Sequence, residues 1–116
     1  TDGKIEINSN VLAVKIAQTS EETYQGLSGV KKIKNDQGML FVYEDFSSCS
    51  HVMREMLFDL DFVFLKNGEV VYIKKDVSKN FKGIVESPYN CNQVLEVNSG
   101  IIDKLNIKIG DTVKIR

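Results

Sequence analysis

The run Leu57-Phe58-Asp59-Leu60-Asp61-Phe62-Val63-Phe64-Leu65 constrains the fold more than any other part of this chain. Its composition is that of a strand, yet it carries two carboxylates where a buried strand should have none. Strand side chains alternate between faces. Asp59, Asp61, Val63 and Leu65 therefore share one face, and Phe58, Leu60, Phe62 and Phe64 share the other. Asp59 suits the wet end of such a strand, whereas Asp61 lies deeper in the apolar run. An acid there needs a partner, because an unpaired buried charge is very costly. That need points either to a structural network or to a site.

Length allows one domain: 116 residues is near the usual size. A hydrophobic share of 42% is enough for a real core without staples. Charge is balanced, with 15 Lys+Arg against 16 Asp+Glu and a net of -1. Nucleic acids and anionic membranes want clustered positive charge, so neither is expected as a partner. The basic runs Lys31-Lys32-Ile33-Lys34 and Lys74-Lys75, with Lys79 and Lys82 nearby, read as solvated faces. No apolar run approaches the ~20 residues of a membrane span. Thr1-Asp2-Gly3 is polar and carries no initiator Met, so a processed chain with any leader removed is expected. The two cysteines, Cys49 and Cys91, allow at most one internal disulfide. A bonded pair suits an exported protein, and two free thiols suit a cytosolic one.

There is no internal repeat, low-complexity tract or linker. Lys4–Ile7 and Val11–Ala17 alternate and predict two strands around an Asn8-Ser9-Asn10 turn. Thr19 and Glu22 form a capping-box pattern for a helix of about two turns, stopped by Gly26 or Gly29. Gly38–Tyr43 predicts a strand, Glu44–Ser48 a loop, and Val52–Leu65 an extended segment. Asn67-Gly68 is the strongest short hairpin signal, since a type I′ turn needs positive φ at both central residues. Glu69–Lys74 is its antiparallel partner. Asp76–Tyr89 reads as irregular and Gln93–Val97 as a strand. Ser99 is expected to cap a short helix, Gly100–Leu105. Ile107–Ile109, Gly110-Asp111 and Thr112–Ile115 then read as strand, turn, strand. Many short strands with one or two short helices predict a mostly β single domain, a small barrel or a closed sandwich.

An ordered set of motifs carries a family resemblance. It comprises Gly26-Leu27, Gly38–Tyr43, Val52-Met53, Leu60–Phe64, Gly68–Val71, Val94–Gly100 and Leu105–Asp111. In order and spacing this set resembles the uncharacterised family called domain of unknown function 192, from about Thr19 to Val113. The resemblance implies a compact, mostly β domain, often exported or lipid-anchored, with no established activity. The chain departs from the family pattern at polar positions. Thr23 stands where the family usually has Arg, and Ser28-Gly29-Val30 replaces a segment that usually holds a second Arg. Val52-Met53-Arg54-Glu55-Met56 replaces the family's Trp-Met-Lys-Asn-Thr, and Asp59 replaces a Pro. The Gly110-Asp111 turn also looks like the turn of cradle-loop barrels and swapped-hairpin DNA-binding proteins. Gly takes the positive φ and Asp bonds its own turn amides.

Two constellations carry chemistry. Asp61 and Glu96, if they converge on one barrel mouth, can share a proton, bind a metal or pair with Arg54. The plainer reading is that each acid ties down a loop by accepting backbone N–H bonds. Cys49-Ser50-His51, with Cys91, offers a zinc set or a nucleophile and base. The plainer reading there is a disulfide, or two unrelated cysteines, plus an exposed His. Met39, Met53 and Met56 with Phe41, Phe58 and Phe64 read as core. Tyr43, Tyr72 and Tyr89 are half-buried strand residues or the lining of a ligand mouth. Phosphate loops, nucleophile elbows and HExxH are absent from the sequence.

The reading that results is a non-enzymatic binding or interaction module, extracytoplasmic, without a cofactor. Its contact residues are Asp61, Glu96, Arg54, Glu55 and Tyr89, near the 76–92 loop. The alternative is a small hydrolase or metal-dependent enzyme using Asp61 and Glu96, or Cys49 and His51. The expected partner is a small molecule or a protein, and the expected state is a monomer or weak homodimer.

Overall fold

A computed structural model describes residues Thr1–Arg116. Seven strands form one curled half-barrel sheet: β1 (Asp2–Ile7), β2 (Asn10–Ala17), β3 (Gln37–Ser47), β4 (Leu60–Lys66), β5 (Glu69–Val77), β6 (Cys91–Asn98) and β7 (Lys114–Ile115). Their order across the sheet is β5-β4-β6-β3-β2-β1-β7. Only β2 and β3 run parallel. A parallel pair needs a crossover, and it holds the first helix, α1 (Ser20–Gln25). The second helix, α2 (Ile101–Lys104), follows β6.

The turns follow from local chemistry. Asn67 (φ 48) and Gly68 (φ 85) make the β4–β5 hairpin as the Asn-Gly pair requires. Thr19 Oγ1 accepts from the Glu22 amide, and Glu22 reaches back to the Thr19 amide, completing the capping box. The Glu22 carboxyl is held below the usual range, first by the Gln18 N–H and then by the Thr19 N–H. Gly26 ends the helix at φ 49.

The sheet is buried on both sides. Val63, Leu65, Leu95, Val97, Leu40 and Ile102 belong to an aliphatic core inside the curl. Phe62, Phe64, Phe41, Val94, Met39 and Met53 belong to a second core on the outer face. The alternation predicted for β4 is thus realised: Asp61, Val63 and Leu65 turn inward, and Leu60, Phe62 and Phe64 turn outward.

Asp61 is 1% exposed, yet both its oxygens are used. Oδ1 accepts from the Asp76 amide at 2.8 Å, and Oδ2 accepts from the Gly100 and Ile102 amides at 3.0 Å each. Asp61 therefore caps α2 from a strand 39 residues away in sequence. This corrects the expectation for Ser99. Its hydroxyl donates to the Asp76 carboxylate, and the helix N-cap is Gly100, with no capping bond from its own side chain. Asp59 accepts from the Lys79 amide at 2.8 Å.

Several boundaries differ from the sequence reading. β5 runs on past Lys74 to Val77, which pairs with Leu60. Glu44–Ser47 continues β3, because Ser47 pairs with Cys91 past an irregularity in the β3–β6 ladder. Residues 52–59 are not strand, and β4 starts at Leu60, where pairing with Asn98 begins. Ile107–Ile109 is also outside the ladder. There the chain crosses between sheet edges instead. Gly110 N–H and Val70 N–H exchange bonds with Val70 and Asp111 carbonyls, and Val113 N–H donates to Gly68. Lys114 and Ile115 then pair with β1. The strap thus ties edge β5 to edge β1.

Asp61→Asn keeps the volume but turns an amide N–H₂ toward backbone donors. The expected result is a loss of roughly 2 kcal/mol in denaturant unfolding. A loss no greater than that of a surface substitution would refute the anchoring role.

Candidate functional site

The outer core is covered by loops, and the gap between them is a cavity of about 400 Å³. One wall is α1 and the turn after it; the other is the 50–56 segment. The two walls are joined. Ser28 Oγ donates to the Arg54 carbonyl at 2.6 Å, and the Gly29 amide donates to the Glu55 carbonyl at 3.0 Å. The 50–56 segment is anchored on its far side as well. His51 and Val85 exchange backbone hydrogen bonds at 2.8 Å, and Cys49 is joined to Cys91 by a disulfide.

At the base of the cavity lies a hydrogen-bonded chain of three side chains. Tyr43 OH is 2.9 Å from His51 Nε2, and His51 Nδ1 is 2.9 Å from Glu96 Oε2. Each comes from a different element: β3, the 50–56 segment and β6. Glu96 points outward because its neighbours Leu95 and Val97 point into the inner core. Gly38 on β3 lets the two strands approach on the inner face, since a Cβ there would lie 2.7 Å from the Glu96 backbone carbonyl and 3.1 Å from Val97 Cγ1. The imidazole is wedged edge-on against Phe41, with ring centroids 4.5 Å apart.

An ionised carboxylate only accepts hydrogen bonds, which sets the direction of the chain. With a neutral imidazole, Nδ1–H donates to Glu96, and Nε2 accepts from the Tyr43 hydroxyl. The phenolic oxygen keeps its acceptor capacity for the cavity. Glu96 Oε1 accepts no hydrogen bond from the protein, although the residue is only 4% exposed. The base of the cavity therefore presents acceptors. Burial, and then the Glu96 charge, push the Tyr43 phenol up to about 12, so it is a neutral group at ordinary pH.

Arg54 lines the same cavity nearer the surface. Its guanidinium lies 4.3 Å from the Tyr24 ring centroid and donates to the Tyr24 carbonyl at 3.0 Å and to Glu55 Oε2 at 3.1 Å.

Among the residues singled out in the sequence, Glu96 and Arg54 share the cavity. Glu55 is a largely exposed neighbour that holds the guanidinium. Asp61 and Glu96 do not converge: Asp61 serves the inner face and Glu96 the outer one. A shared proton or metal between them is thereby excluded by geometry. Arg54 pairs with neither. Tyr89 is exposed, packs toward Tyr72 and does not line the cavity. Cys49 is bonded, so it supplies no thiolate as nucleophile or zinc ligand. No group of three His, Cys, Asp or Glu side chains is placed to hold a metal ion. His51 is buried rather than exposed. Tyr43 and His51 as partners of Glu96 escaped the sequence reading, because nothing in the spacing links positions 8 and 45 residues apart.

The family model of DUF192, described as an uncharacterized ACR, matches residues 3–115. The chain belongs to this family. No curated protein matches it. Two crystal structures share its fold. One, from Sinorhizobium meliloti 1021, is described as that of a proposed transcription regulator. It has a TM-score of 0.94 at 23% identity, covering 99% of this chain and 94% of the other. The second, from Novosphingobium aromaticivorans DSM 12444, is a protein of unknown function. Its TM-score is 0.89 at 24% identity, covering 97% and 84% of the two chains. At such identities the likeness shows the fold alone.

Two outcomes are expected at the site. In a spectrophotometric titration Tyr43 ionises late, toward pH 12, and Glu96→Gln moves it earlier. Because the folded chain holds this proton more tightly than the unfolded one, Tyr43's contribution to stability is intact below pH ~10 and falls as pH rises toward about 12. Separately, the Cys49→Ser, Cys91→Ser double variant should unfold about 2–4 kcal/mol more easily, and the native chain should show no thiol to Ellman's reagent.

Proposed function

We propose that this DUF192 domain is a small-molecule binding module, and that its ligand enters the cavity beneath α1. The observation that carries this reading is Glu96 Oε1. A carboxylate oxygen on a residue 4% exposed faces the cavity without a donor from the protein. The carboxylate is paired with His51 through Oε2, and Oε1 is open to the cavity rather than sealed, so a ligand that brings an N–H or O–H donor adds a charge-assisted hydrogen bond there. The Tyr43 oxygen offers a second acceptor on the far side of the His51 imidazole. A cavity of about 400 Å³ falls within the range of small-molecule sites.

The scaffold supports the same reading. The chain Tyr43–His51–Glu96 is locked at both ends and by aromatic contacts, so its geometry is set before a ligand arrives. The Cys49–Cys91 bond supports an oxidising, extracytoplasmic setting. It lies two residues from His51 and helps keep that side chain in place.

The test is an NMR screen of the folded protein with small amines, alcohols and amides. Ligands that bind should shift the His51 imidazole and Tyr43 ring resonances, and Glu96→Gln should remove the effect while the fold persists. Absence of binding by every donor class, or binding elsewhere on the surface, would overturn the proposal.

A further inference from the structure

The cavity has a second polar end, and it differs in sign from the first. At the base stand the Glu96 carboxylate and the Tyr43 oxygen, both acceptors. Nearer the surface stands the Arg54 guanidinium, a cation. A guanidinium carries five N–H donors, and Arg54 uses one to Glu55 and one to Tyr24. Three remain. The same two bonds, with the Tyr24 ring beneath, hold the group in a set orientation. It is therefore an anchored guanidinium, already ion-paired on one side with Glu55, whose remaining donors are unspent. The lining also includes the hydroxyl residues Ser20, Thr23 and Ser50 and the apolar Leu27 and Met56.

Resting on the reading of the cavity as a binding site, we infer that its ligand is a small zwitterion. Its primary ammonium lies against Glu96 Oε1, and its carboxylate lies at Arg54. Each charge of such a molecule meets the opposite charge of the protein, and Glu96 Oε1, open to the cavity, gains a charge-assisted hydrogen bond. A molecule with one charge leaves the other end of the cavity unmatched. An anion placed at the base would face Glu96 and be repelled. Free amino acids have this charge pattern, and Leu27 and Met56 give an aliphatic side chain apolar surface to rest on.

Calorimetry on the intact protein tests this with defined probes: the proteinogenic L-amino acids, β-alanine and γ-aminobutyrate. For any amino acid that binds, its N-acetyl derivative and its carboxamide are measured alongside, with propylamine and propionate as single-charge references. At least one zwitterion is expected to bind. Acetylation or amidation should each weaken it about tenfold to a hundredfold. Arg54→Gln should weaken the zwitterion and leave its carboxamide unchanged. Glu96→Gln should weaken the zwitterion and leave its N-acetyl derivative unchanged. Thermal melts confirm that both variants are folded, and Arg54→Lys should restore part of the affinity.

If propylamine binds through Glu96 but no amino acid binds more tightly, the zwitterion inference falls and the cavity reading stands. If a carboxamide or N-acetyl derivative binds as well as its parent, the inference also falls. If neither amines nor zwitterions bind, the zwitterion inference falls, and the cavity reading falls with it only when alcohols and amides fail to bind as well.

Discussion

Burial of β4 and β6 on both faces is the constraint on which this structure depends. A strand with one wet face can send every polar residue outward. Strands in the middle of a half-barrel with a core on each side cannot. Leu60 to Leu65 are all buried, and so are Val94 to Val97. Each acid within these runs, Asp61 and Glu96, must find its partners inside the protein. The curl of the sheet, the loops over its outer face and the placement of α2 all serve that requirement.

The two acids meet it in different ways. Asp61 is saturated by backbone amides from β5 and the start of α2, so it holds the inner side together and leaves nothing for a ligand. Glu96 spends one oxygen on His51 and leaves the other toward a cavity. The cavity exists because the outer core is roofed by loops rather than by a second sheet. Loops leave gaps where strands would not, and this roof is pinned at a few points: the disulfide, the His51–Val85 pair and the bonds from the α1 turn to Arg54 and Glu55. The site thus stands on a rigid sheet and is shaped by less regular chain.

Much of the fold was legible in local patterns. The alternation in β4, the Asn67-Gly68 hairpin and the Thr19–Glu22 capping box are short-range physics, and each is present. The plainer reading of Asp61, a carboxylate tying down a loop through backbone amides, describes what it does. The same reading does not describe Glu96, which binds a side chain. The C-terminal strap escaped because its bonds run to sheet edges far away in sequence, not to its neighbours. Ser99 looked like a cap by position, but Asp61 reached the same amides first through tertiary contact.

The sequence by itself determined that this chain is a mostly β domain of the DUF192 family, and that Asp61 and Glu96 are acids on apolar strands. These facts depend on period-two alternation, turn chemistry and motif order, all of them carried along the chain. Only the tertiary structure decided that the two acids face opposite sides of the sheet. It alone brought Tyr43 and His51 to Glu96 and set Arg54 nearer the surface of the same cavity. Strand pairing and loop closure make those contacts, and they join residues that no local pattern connects.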